Sequence, residues 1–269
     1  LGGRLRARPL SGHADLRIHD APDARSPASY EGELALRLGD SQVDAKGRIA
    51  QSLSVDADFA PLQLADLFPD AAGSLRGQLH LRGARATPDI DVDLQGTQLH
   101  YGSWSAGTLL AHGTLPWRGA AKSGALHVEG SALELGMPLD RLRLDARGAF
   151  EQMQLDAEAQ GANGALALRG TLGKRGEDWR GTLASLQLKP TRGASWQLDQ
   201  AADFAWVQGR GRIGGACLRA SEGEGRLCVN GEWPGQGIAL HGNGLSLALL
   251  QGYVPEREGG GRWRMHGDI

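Results

Sequence analysis

Between about residue 75 and residue 190, apolar side chains recur at every second position, and a period of two excludes most folds at once. Ile90, Val92 and Leu94 alternate with Asp89, Asp91 and Asp93, while Leu75, Leu79 and Leu81 alternate with Arg76, Gln78 and His80. Leu126 and Val128, Leu142 and Leu144, Leu166 and Leu168, and Leu186 and Leu188 continue the pattern. Successive side chains of an extended chain point to opposite faces, so each run predicts a strand with one apolar face. Glycine-rich turn signals fall about every ten to fifteen residues, the spacing of many short strands joined by tight turns. Residues 1–60 already read this way, with Leu16 and Ile18, then Leu34, Leu36 and Leu38, then Leu53, Val55, Ala57 and Phe59. Gly39-Asp40 and Lys46-Gly47 stand as turns between them, and Ala21 to Ser29 as a loop. The chain is predicted to be all-β.

One stretch departs from the period. In Pro61 to Gly83, Leu64, Leu67 and Phe68 sit at i, i+3 and i+4, which predicts one or two turns of helix with an apolar face. Pro69 ends it, because the residue before a proline is pushed out of the α region. The same order returns near the end: Leu247, Leu249 and Leu250, a stop at Val254-Pro255, then Gly259 to Gly261 leading into alternation at Arg262 to Gly267. A short helical plug thus introduces a new run of strands twice. The predicted segments are 1–60, 61–246 and 247–269, the last a repeat cut off at Ile269, so the chain reads as a piece of something longer.

Composition bears on what the strands build. There are 41 glycines against 4 Phe and 3 Tyr, and the apolar positions are mostly Leu. Two packed layers usually lean on aromatic and β-branched residues to fill their core. The expectation is instead one long antiparallel or mixed sheet, curled into a trough with an apolar lumen and interrupted by the plugs. Such a stripe is tolerated when it binds something apolar. Its predicted lining is Leu75, Leu79, Leu81, Ile90, Val92, Leu94, Leu126, Val128, Leu142, Leu144, Leu166, Leu168, Leu186 and Leu188. The competing architecture is a structural or adhesive secreted β-solenoid rod with a closed, dry core. Lys plus Arg number 29 and Asp plus Glu 31, so the basic excess of a nucleic-acid binder is missing. No apolar run approaches the roughly 18 to 20 residues of a membrane-spanning helix, and no signal peptide opens the sequence.

The two cysteines are Cys217 and Cys228. Folding the segment between them about Glu222-Gly223 sets Leu218 against Leu227 and Cys217 against Cys228. Directly opposed residues have Cα atoms about 4.5–5.5 Å apart, within disulfide reach. A bridge implies an oxidising compartment; two reduced structural thiols are the alternative. Gly209 to Gly214 spells GxGxxG after a plausible strand, but no helix follows to bind a pyrophosphate, so it reads as a glycine-rich strand or turn. His127 and Glu129 share a strand face, yet the eight histidines are scattered and no metal-ligand spacing occurs. No nucleophile elbow is present, and the sequence asks for neither catalysis nor a cofactor. Trp206 and Trp233 lie in the apolar register, and Trp104 and Trp117 beside turns. They read as groove-rim packing or as contacts to a lipid headgroup region.

The stretch LxxLFPDAAGSLRGQLHLRG, the following ATPDIDVDLQGTQLHYGSWSAGTLLAHGTL, and ACLRASEGEGRLCVNGEW with LSLALLQGYVP together resemble the TamB family. These are bacterial translocation and assembly module proteins related to AsmA-like bridge proteins. The resemblance covers about residues 50 to 269, and its most specific element is the order plug, sheet, cysteine hairpin, plug. It implies a periplasmic β-taco whose groove holds phospholipid acyl chains between the inner and outer membranes of a Gram-negative bacterium. It also implies an inner-membrane anchor at a more N-terminal position, and a C-terminal domain meeting a TamA-like outer-membrane barrel. Neither of those two parts is recognisable in these residues.

Overall fold

The computed structural model describes residues 2–19, 28–119, 123–235 and 237–244. The chain forms two units, Leu1–Ala149 and Phe150–Ile269. In the first, the alternating runs become β1 (Gly2–Leu5), β2 (Arg8–His19), β3 (Ser29–Leu38), β4 (Ser41–Ile49), β5 (Ser52–Gln63), β6 (Ala71–Ala84), β7 (Thr87–Tyr101), β8 (Trp104–Leu115), β9 (Gly124–Glu134) and β10 (Pro138–Ala149). A single helical turn, α1 (Leu64–Leu67), joins β5 to β6. Every strand of this unit pairs antiparallel with the next in sequence.

The second unit holds β11 (Gln152–Gly161), β12 (Gly164–Arg175), β13 (Asp178–Pro190), β14 (Trp196–Leu198), β15 (Ala202–Val207), β16 (Arg210–Ala220), β17 (Arg226–Trp233) and β18 (Gly237–Asn243). Pairing again follows chain order and is antiparallel. β14 and β15 share the place between β13 and β16. They are one strand interrupted at residues 199–201, where Asp199 N–H donates to Cys217 O at 2.8 Å. The coils of a β-solenoid stack as parallel strands, so the antiparallel meander is a different architecture. The all-β expectation holds, in its antiparallel form.

Fully buried apolar side chains are few and mostly alanine; the larger ones are Leu38, Leu62, Leu115, Leu133 and Met153. Burial instead alternates along the strands between half-buried and exposed. In β7, for example, Ile90, Val92 and Leu94 are half-buried while Asp91, Asp93 and Gln95 are exposed. This is the pattern of a sheet with one apolar and one wet face.

Bulges re-aim that pattern in several strands, among them β7 and β9. Gln98 and Ala132 adopt positive φ, at 49° and 48°, and after each of them the facing parity changes. Leu99 therefore lies on the same face as Gly96, so close that a Cβ on Gly96 would stand 2.5 Å from Leu99 Cδ1. Leu133 covers Gly130 in the same way. A bulge that swings the next side chain onto the other face explains why the period of two changes phase within β7 and β9.

Some expectations need correction. Lys46 and Gly47 are inside β4, paired with Asp56 and Val55, and form no turn. The helix is short as expected, one turn, but its predicted apolar face is not what it buries. Leu67 and Phe68 are exposed, Phe68 by 50%, whereas Asp66 is 0% exposed. The GxGxxG stretch, Gly209 to Gly214, is the glycine-rich turn and strand expected: Gln208-Gly209 form a two-residue turn with both φ positive, as a type I′ hairpin requires, and β16 starts at Arg210. The repeated plug at 247–269 and most of the Ala21–Ser29 loop lie outside the described residues.

Candidate functional site

Register carries apolar side chains straight across the first unit. One row runs Ala57, Leu79, Val92, Gly113, Leu126, Ala146, and the next runs Phe59, Gly77, Leu94, Ala111, Val128, Leu144, each residue the cross-strand partner of the one before. Leu81 and Ile90 face each other one step outward, and Leu75 and Leu142 fall on the same face by parity. In the second unit, Ala159, Leu166, Leu188, Trp196 and Ala220 form one row, and Ala157, Leu168 and Leu186 another. Every lining residue expected from the sequence is half-buried. Those of β6, β7, β9 and β10 come together in the first unit, and those of β12 and β13 in the second.

Sequence reasoning passed over β8, which supplies Leu109, Ala111, Gly113 and Leu115 to the middle of the first-unit face. The adjacent Leu109-Leu110 masks the alternation, and the next positions are Ala and Gly. Counting parity from the flanking strands would have found them. Leu34, Leu36 and Val43 extend the same face into β3 and β4.

The opposite face is held by charged pairs. His127 Nδ1 lies 2.8 Å from Asp145 Oδ1 and Nε2 3.1 Å from Glu129, while Arg143 Nε donates to Asp145 Oδ2 at 2.9 Å. The hydrogen bond to Asp145 raises the pKa of His127 above its ordinary value, and the same bond lowers that of Asp145. Asp56 accepts from Arg82 and meets His80 Nδ1 at 2.6 Å, and its pKa is lowered, by the Arg82 bond most. Cavities of about 680 and 450 Å³ lie on this face among Glu33, Lys46 and Asp56. The larger is lined by charged residues interleaved with Leu34, Ala35, Ala45 and Ala57. Among the described residues no three His, Cys, Asp or Glu converge as a metal site.

At one end of the first-unit apolar face the chain closes over itself. Arg8, Leu38 and Ser41 share that face by parity, and α1 folds back onto them. Asp66 Oδ2 accepts from Ser41 Oγ at 2.5 Å, and Ser41 Oγ in turn accepts from Gln63 N–H at 2.8 Å. Asp66 Oδ1 makes no well-angled hydrogen bond; its company is the Arg8 guanidinium, with Nη1 2.5 Å away. Leu38, 1% exposed, is the largest apolar side chain fully buried among the described residues. Nothing in the sequence marks Asp66 as different from the many exposed aspartates, because its partners are 58 and 25 positions away.

Cys217 and Cys228 are register partners joined by a disulfide, with Cα atoms 4.0 Å apart. Leu218 faces Leu227 as expected, which puts the bridge on the polar face beside Asp199, Arg219 and Arg226. Trp104 is exposed at the start of β8 opposite Tyr101, and Trp117 is half-buried, its backbone N–H donating to Asp89 at 2.8 Å.

A family model described as "TamB, N-terminal domain" matches residues 1–259. The translocation and assembly module subunit TamB of Haemophilus influenzae is 24% identical over 193 residues, covering 70% of this chain. The chain spans 14% of that relative's length. No solved structure matches it.

Proposed function

We propose a function that starts from one premise: this chain belongs to the TamB family of translocation and assembly module proteins. Its apolar faces carry phospholipid acyl chains, offering them a continuous greasy path through the aqueous periplasm of a Gram-negative envelope. The full-length protein would be anchored in the inner membrane by a segment outside these residues. It would reach an outer-membrane barrel partner through another segment, linking the path to outer-membrane protein assembly. The work is carriage rather than catalysis.

The observation that carries this reading is the pair of register-continuous rows from β5 to β10, whose Leu and Val side chains remain half-exposed. Each methylene transferred from water to such a surface gains about 0.8 kcal/mol, so the rows can hold an acyl chain without any headgroup contact. The polar face, with Asp93, His127 and Arg141, keeps the other side wet.

Leu94→Asp and Leu144→Asp place a carboxylate within one row, where an acyl chain would have to desolvate it at a cost of several kcal/mol. Arg141→Asp on the polar face is the control; Arg143 is unsuitable because it donates to Asp145. Expected is retained β content by circular dichroism in all three, with lipid recovered by extraction lost only from the leucine variants. Leucine variants that stay folded and hold as much lipid as the control would refute the reading. Outright unfolding would instead mark the row as a dry core.

A further inference from the structure

One cross-strand row of the second unit is built from Lys174, Trp179, Trp206, Gly211 and Trp233, drawn from β12, β13, β15, β16 and β17. Each is the register partner of the next. Two-residue steps from Leu172, Phe204 and Ile213 put the row on the apolar face, at the end where the β12–β13 and β15–β16 turns meet water. The indole rings of Trp206 and Trp233 lie 5.9 Å apart at 33°. They remain 42% and 57% exposed, far more than packing tryptophans would be. Gly211 lies between them; a Cβ there would stand 3.0 Å from Trp206 Cε3, so the indole packs against the bare backbone of Gly211.

Two physical properties converge here. Indoles favour the boundary between hydrocarbon and water, where an apolar body and a polar N–H are both satisfied. Their π faces attract cations, ammonium groups included. The row already displays that chemistry, since Lys174 Nζ sits 5.1 Å from the centre of the Trp179 ring.

We propose that Trp206 and Trp233 form a headgroup seat that takes the ammonium of an amine-headed phospholipid, while its acyl chains run inward over Phe204 and Ile213. This rests on the reading of the apolar face as lipid-bearing and adds a preference among lipids that the leucine rows cannot supply.

The test incubates the chain with vesicles of equal parts phosphatidylethanolamine and phosphatidylglycerol, re-isolates it and quantifies extracted lipid by mass spectrometry. The wild type should carry phosphatidylethanolamine in roughly two- to tenfold excess, the range open to a partly exposed cation–π contact. The Trp206→Leu/Trp233→Leu variant should hold as much total lipid at the vesicle ratio, and Trp206→Phe/Trp233→Phe should keep the excess. If the double leucine variant loses β content, the single Trp233→Leu change at the more exposed ring gives the same readout. A wild type that mirrors the vesicles, or leucine variants that keep the excess, would overturn the seat while leaving the lipid face intact. A wild type that binds neither lipid removes both.

Discussion

The open rows of β6 to β10 and the closed end beneath α1 share one face of one sheet, yet they treat side chains in opposite ways. In the rows, leucines and valines stay half-exposed. Beneath α1 a carboxylate is withdrawn completely from water, while the neighbouring Leu67 and Phe68 are left outside. Burial here follows position along the strand rather than hydrophobicity. Where the chain supplies its own cover, even an aspartate is enclosed, with Arg8 and Ser41 as partners; where it supplies none, the apolar surface is left for something else to cover.

That contrast is sharpest in paired truncations. Leu38→Ala removes a fully buried side chain and should cost about 3–4 kcal/mol, whereas Leu94→Ala in the open row should cost only about 1 kcal/mol. Urea unfolding of both gives the difference directly, and equal losses would erase the distinction between the regions. Arg8→Ala strands the buried Asp66 charge. Breaking a buried pair usually costs about 3–5 kcal/mol, and because Arg8 is itself partly exposed the loss should be about 2–3 kcal/mol. The double change Arg8→Met with Asp66→Leu should recover most of it, since apolar replacement of a buried pair is often neutral or better.

The smallest effect concerns the wet face. His127 has a raised pKa, so its contribution is complete below the ordinary histidine value of 6.5 and fades as pH climbs through the raised one. Asp145 is lowered, so its contribution is complete above 3.8 and fades as pH falls through the lowered value. Both operate together between about pH 4 and 6.5. From pH 6 to 8.5 the wild type should therefore lose more urea resistance than His127→Gln, by under about 1 kcal/mol, as expected for a pair near the surface.

Much of the first region was legible because the strand period is local: Ile90, Val92 and Leu94 announce their face within five residues. The cysteine pairing was equally readable, since both residues stand equidistant from one turn. The phase changes at Gln98 and Ala132 were not, because either residue is ordinary in a strand and only its backbone angle reveals the bulge. Asp66 was opaque for another reason: a buried ion pair is made by distant partners, and no neighbouring residue reports on them. The row of three tryptophans was partly visible: Trp206 and Trp233 stood in the apolar register, but Trp179 and the alignment of all three emerged only once the strands between them were paired.

The meander has a consequence for how such a chain comes into being. Almost every strand meets its partner across a single turn, so little loop-closure entropy opposes each new pairing. A chain delivered from one end can therefore zip hairpin by hairpin as it arrives, without waiting for residues still to come. The same arithmetic makes length a free variable. A duplicated hairpin returns the chain in its original direction and leaves the registers on either side unchanged, so a sheet of this kind can be lengthened or shortened two strands at a time, like a tape measure cut to any length.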